Sequence, residues 1–305
     1  MLSLGPGCGA ATVEKQVSSP AASKEALAWY GIRRVPADDL ETVAHNLGGT
    51  VVEMAVENQT ADQIKTLLDQ AGAVGYGVIL NLYARETRTK RPWDWNGSEW
   101  VFPPSTVETL QEIAHHPALF AVYALHEPLD AGEGYVSVAQ QRELYQLLKQ
   151  YTDGLPVFSD LGGLRVFEER GVELGDGLCD LCCTFPSYFN SDWTSEQCLA
   201  ETLSRIDADL DTQQRLMPNS QIVFLINTYS YPGYQSYPIR MPTPEELAIV
   251  RDYVCDLDQP LMYYPWVHSA VDLTLKDAPE LWPIIADGCA PAIYLPLIQA
   301  RWGGQ

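Results

Sequence analysis

Eight short apolar runs alternate with amphipathic, capped segments along this chain of 305 residues, and together they predict a single-domain (β/α)8 barrel. Runs buried on both faces, as in a parallel sheet, read as near-continuous stretches of β-branched and aromatic residues. Their alternation with helices over about 280 residues matches such a barrel in count and length. A doubly wound open sheet is the main competitor. It normally opens on a glycine-rich turn, and no GxGxxG follows the first run.

Residues 1–24 read as a flexible tether and 25–305 as the barrel. Ala26 to Arg34 is the first strand, ending in two cations. Asp38 or Asp39 is the expected cap of a helix whose Leu40, Val43, Ala44 and Leu47 share a face. Thr50 to Val56 is the second strand, with Glu53 and Glu57 on one side, and Thr60 with Gln63 forms a capping box for the helix that Gly72 stops. Tyr76 to Tyr83 is the third strand, and Ser105 and Glu108 are expected to cap the helix that ends before Pro117.

The fourth strand, Leu119 to His126, runs straight into Glu127 and is followed by a helix from Ser137 to Tyr151. Leu155 to Asp160 is the fifth, with a poorly defined helix through Val166 and Glu169. Leu178 to Phe185 is the sixth, leading to a long helix in which Thr194 and Gln197 form a capping box. Gln221 to Thr228 is the seventh. Thr243-Pro-Glu-Glu246 is a strong helix start, with proline at the first position and glutamate at the third. Leu261 to Trp266 is the eighth strand, and helices through Leu281 and Leu297 close the chain.

Chemistry in such a barrel gathers at the carboxyl ends of the strands. An acid closing an apolar strand is a poor choice for stability alone, so Glu127 is the leading candidate, its alternative role being an ion pair with a strand-mouth arginine. The loop after the third strand carries Trp93, Trp95 and Trp100, and the loop after the seventh runs from Tyr229 to Tyr237 with four tyrosines. Flat rings with a polar edge suit sugars, whose faces are rows of C–H groups and whose rims are hydroxyls. Such loops also pack on their own aromatics. Asn81 and Asn227, at the ends of the third and seventh strands, are further candidates.

These motifs resemble the (β/α)8 glycoside hydrolases of the large retaining clan. The resemblance rests on His126-Glu127-Pro128 ending the fourth strand, where the clan carries Asn-Glu-Pro with the glutamate as general acid/base. It extends to Pro242-Thr-Pro-Glu-Glu-Leu247, to Thr184-Phe-Pro-Ser-Tyr188 and to Met262-Tyr-Tyr-Pro-Trp266. It implies a glycosidase acting on an oligo- or polysaccharide, with His126 and Tyr188 beside the sugar and Trp266 as the floor of its subsite. The clan's nucleophile, a glutamate ending the seventh strand, is missing, since Ile222 to Tyr229 holds no acid. A hydrolase needs a second carboxyl, about 5 to 5.5 Å away for retention or 6.5 to 9.5 Å for inversion. Asp160 is the expected partner, with Glu53 and Glu86 as weaker candidates; Asp180 lies too early in its strand. Burial and a neighbouring carboxylate would keep Glu127 protonated, and Arg33 or Arg34 would orient the second acid, bind an acidic sugar or form a barrel-mouth ion pair. The other reading is a non-catalytic carbohydrate-binding barrel.

Composition narrows the alternatives. A net charge of −21 argues against nucleic acid and anionic membranes as partners. None of the six lysines ends a strand, which argues against a Schiff-base aldolase, and the adjacent His115 and His116 do not make a strand metal site. No cofactor and no metal is expected. Cys8, with the Ser/Ala/Gln-rich segment that follows, resembles the start of a bacterial lipoprotein, although Gly5 and Pro6 fit the preceding positions poorly. That implies an extracellular or cell-envelope protein attached through a lipid, and a cytoplasmic one if the written start is genuine. Cys179, Cys182 and Cys183 are expected as buried thiols, and six cysteines remaining after Cys8 would permit disulfides.

Overall fold

The computed structural model describes residues 29–56, 59–82, 92–129, 136–233 and 238–288. The tether, the helix expected through Leu297, and Glu57, Glu86, Tyr234 and Tyr237 lie outside the described residues. The strands are β1 (Tyr30–Ile32), β2 (Val51–Ala55), β3 (Gly77–Asn81), β4 (Asp94–Trp95), β5 (Trp100–Val101), β6 (Leu119–His126), β7 (Val157–Asp160), β8 (Leu181–Thr184), β9 (Gln221–Asn227) and β10 (Leu261–Tyr264). Eight of them close a barrel in the order β1-β10-β9-β8-β7-β6-β3-β2, every neighbouring pair parallel. The other two, β4 and β5, make a small antiparallel hairpin.

The helices are α1 (Leu40–Leu47), α2 (Ala61–Ala73), α3 (Pro104–Ile113), α4 (Val138–Tyr151), α5 (Leu164–Glu169), α6 (Ser195–Leu216), α7 (Pro244–Asp256) and α8 (Trp282–Ala286). Reciprocal capping boxes start α2, α4, α6 and α7, at Thr60, Ser137, Thr194 and Thr243. Two expected caps are corrected. Pro103 takes the cap position of α3, with Pro104 pre-set for the first turn, so Ser105 and Glu108 lie inside that helix. Asp39 precedes α1 without capping it, because its carboxylate accepts from Trp266 Nε1 at 2.7 Å and Lys276 Nζ at 2.8 Å.

Strand side chains alternate between two apolar layers. Val52, Val78, Val122, Val157, Ile222 and Leu261 face the helices, and Val51, Ile79, Ala121, Phe158, Val223 and Met262 fill the barrel interior. The interior is therefore packed low in the bore, and any cavity has to lie above that layer.

The cysteine expectation is corrected in part. Cys179 and Cys182, with Cα atoms 5.5 Å apart at the entry to β8, form a disulfide. Cys183 and Cys198 are buried thiols, and Cys255 is also disulfide-bonded. No helix among the described residues is long and apolar enough to cross a membrane.

Candidate active site

Continuing the interior set two residues up replaces apolar side chains by polar ones on four of the strands. Glu53 follows Val51, Asn81 follows Ile79, Asp160 follows Phe158 and Tyr264 follows Met262. In β6 the register with β7 shifts between Tyr123 and His126, and both of these side chains reach Asp160. The end of the strand thus delivers two inward groups where strict alternation would give one.

Arg33, just past β1, is the hub. Its Nε donates to Glu53 Oε2 at 2.7 Å, and its Nη1 reaches both oxygens of Asp160 at 2.9 Å. All three residues are buried, and β7 lies four strands from β1 in either direction around the barrel, so this guanidinium crosses the bore. Asn81 Nδ2 donates to the other oxygen of Glu53 at 2.7 Å. Burial would push the Asp160 carboxyl up, yet Arg33, His126 and the Tyr123 hydroxyl outweigh it and hold the group at about 2. Burial likewise opposes the charge on Arg33, and Asp160 and Glu53 override it.

Above this cluster is an open cavity of about 1200 Å³ to which the end of every barrel strand contributes. Glu127 lines it directly after β6. Its N–H donates to the Asp160 carbonyl at 2.9 Å, and its Oε2 stands 3.5 Å from His126 Nε2. The backbone there is left-handed, with φ of 43°. Four described non-glycine residues have positive φ: Asp153 and Asp258, of a type that tolerates this region, and Arg34 and Glu127, which are not of that type and both line the cavity.

The structure brings Arg33, Asn81, His126, Glu127, Asn227 and Tyr229 together around this cavity. Several other expected site residues are not among its lining. Asp160 is fully buried beneath it, its oxygens taken by Arg33, His126 and Tyr123, whereas the weaker candidate Glu53 does contribute to the wall. Trp93 is buried against Phe102, and Trp95 packs edge-on to Trp100 across the β4–β5 hairpin. Tyr188 stacks on Trp193 and under Arg205. Trp266 is fully buried against Trp282 with its indole N–H committed to Asp39. Asp180, set aside for lying too early, accepts from the Val157 N–H below β8.

Sequence reasoning missed Tyr264 and Phe185 as cavity aromatics, whereas Tyr231, from the tyrosine loop after the seventh expected strand, lines the cavity with Tyr229. Tyr264 meets Tyr229 edge-on at 5.8 Å and lies beneath the guanidinium groups of Arg33 and Arg34, 5.2 and 5.4 Å from its centroid. The parity of Met262 would have assigned it to the interior. Among the described residues no group of three or more His, Cys, Asp or Glu is arranged to hold a metal ion.

No protein-family model matches the chain, and no curated protein matches it. Solved structures do. Pseudomonas stutzeri endoglucanase Cel5A superposes with a TM-score of 0.57 at 12% identity, covering 87% of this chain and 94% of that one. Its complex with cellobiose gives 0.55 at 11% identity over 86% and 92%. A GH5_18 protein from Bifidobacterium longum subsp. infantis gives 0.53 at 11% identity over 90% and 79%. At these identities the likeness is one of fold, and it defines the class: a (β/α)8 barrel of the architecture that these proteins share.

Proposed function

We propose that the protein is a glycoside hydrolase acting on an oligo- or polysaccharide, with Glu127 as general acid/base. The observation that carries this reading is that Glu127 and a second carboxylate, Glu53, line one cavity whose walls include Tyr229, Tyr231, Tyr264 and Phe185. Sugar C–H faces pack on such rings while hydroxyls meet the polar rim. Glu127 gives its proton to the glycosidic oxygen as the C–O bond breaks. Glu53, held by Arg33 and Asn81, either attacks the anomeric carbon or takes a proton from the incoming water, according to its separation from Glu127 in the sugar complex. Asp160 then serves as an anchor for Arg33 and His126. The endoglucanase likeness supports the reading at the level of fold alone.

A carbohydrate-binding barrel without turnover is the second reading. It is favoured by Asn227 ending β9 without an acid, and by both oxygens of Glu53 being already bonded. An extracellular or cell-envelope location is part of the proposal; the Cys8 segment and the Cys179–Cys182 disulfide, a bond typical of oxidising compartments, support it.

The test is reducing-sugar release from a panel of oligo- and polysaccharides by wild type, Glu127→Gln and Glu53→Gln. Release by wild type that both variants lose supports the hydrolase. Undiminished release by Glu127→Gln ends the assignment, and no release with glycan binding retained in all three favours the binding barrel.

A further inference from the structure

We propose that the cavity takes an anionic saccharide, one bearing carboxylate or sulfate groups on more than one sugar unit; this rests on the carbohydrate reading above. The chain has 40 acidic and 19 basic residues, so a cation almost anywhere on it finds an acid. Of the twelve lysines and arginines among the described residues, nine have a carboxylate within ion-pair distance. The other three are Arg34, Arg142 and Arg170. Arg142 lies away from the cavity and donates to the Asp176 carbonyl at 3.3 Å. Arg34 and Arg170 both line the cavity. In a chain with twice as many acids as bases, two arginines have no carboxylate within ion-pair distance among the described residues, and they share one cleft.

Their settings differ in a useful way. Arg34 is half-buried, fixed by a left-handed backbone with φ of 58° and by the Tyr264 ring beneath its guanidinium. It is pre-organised, as a fork meant for carboxylate or sulfate oxygens would be. Arg170 is exposed at the end of α5. The first follows β1 and the second the segment after β7, so they flank the cavity from opposite sides of the barrel. An extended chain charged on successive units would meet both.

The neighbouring acids do not cancel this. Glu53 is paired with Arg33, and Asp277 accepts from the Thr274 N–H and hydroxyl. That leaves Glu127, the proposed proton donor, which also faces His126. The repulsion expected from a net charge of −21 is screened beyond roughly 8 Å at physiological ionic strength, so the local pair of arginines decides the binding.

The experiment is calorimetric titration of the full chain with four probes: a neutral cello-oligosaccharide, an oligogalacturonate, an iota-carrageenan oligosaccharide bearing sulfate and no carboxylate, and polyglutamate as an anion without sugar. Wild type is expected to bind at least one charged saccharide about tenfold or more tighter than the neutral one, and the two charged arms tell carboxylate from sulfate. Arg34→Gln should lose about tenfold on that ligand and the exposed Arg170→Gln a few-fold, while Arg142→Gln binds as wild type does. Neutral and charged saccharides bound equally would overturn the proposal and leave the carbohydrate reading standing. Polyglutamate bound as tightly as any sugar, or no binding at all, would overturn both. Charged binding unmoved by Arg34→Gln and Arg170→Gln would also overturn the proposal.

Discussion

His126 Nδ1 stands 2.9 Å from the buried Oδ2 of Asp160, and on the far side of the same ring Nε2 faces Glu127. Asp160, held ionised down to about pH 2, fixes the orientation of this ring and turns its Nε2 edge towards the glutamate. His126 is thereby a positioning residue for the proposed acid. In the hydrolase reading, His126→Gln should lower kcat on the order of tenfold to a hundredfold with little change in KM, and should alter the pH dependence of kcat. A variant with the wild-type pH profile and rate would remove this role.

Asp160 also ties stability to acid. Its carboxyl is held at about 2 in the fold against 3.8 for an ordinary aspartate, so its contribution is complete above about pH 4 and is lost as the pH falls through 2. The group contributes on the order of 2 kcal/mol over that window. Asp160→Asn should abolish this part of the acid dependence and cost about 3 to 5 kcal/mol at neutral pH, since it strips a buried arginine of a partner. Urea unfolding between pH 2 and 7 reads both effects.

Asp209 behaves in the opposite sense. Burial pushes its carboxyl up to about 6, although the Arg165 N–H at 3.1 Å works against the rise. A raised carboxyl opposes folding once it must ionise, from about pH 4 upwards and fully above 6. Asp209→Asn keeps an acceptor for Arg165 and should stabilise the protein by about 1 to 3 kcal/mol at pH 7, with no gain below pH 4. Equal gains at both pH values would contradict this account.

Tyr264 and Trp266 should separate ligand binding from folding. Trp266→Phe removes a hydrogen bond to a charged Asp39 and should cost about 1.5 to 3 kcal/mol of stability while leaving glycan affinity intact. Tyr264→Ala opens the cavity wall and should weaken glycan binding several-fold or more. Thermal melts and titrations on both variants make the comparison.

The barrel was legible because its signals are local. Thr60, Thr194 and Thr243 form the capping boxes that their sequences spell out, and period-two alternation assigns strand-end residues such as Asn81 and Asn227 to their positions. Loops have no period. Nothing in the string around Trp93, Tyr188 or Trp266 says whether a ring turns towards the cleft or packs under it. The start of α5 was obscure for a related reason. Gly163 offers no capping side chain, and the carboxylate that accepts the Arg165 N–H belongs to Asp209, on the next helix. Asp160 misled because a strand-end acid reads the same whether it faces a substrate or a buried arginine.

Arg33 has a consequence for how the chain assembles. It stands just past a strand of three residues, and its two carboxylates lie 20 and 127 positions further along. A nascent chain that has not yet reached Asp160 can sequester Arg33 with Glu53 alone, on an adjacent strand and with half the barrel wall still to come. Charge compensation across the bore therefore comes late and at long sequence range, with the fifth wall strand, and ring closure later still, when β10 pairs with β1.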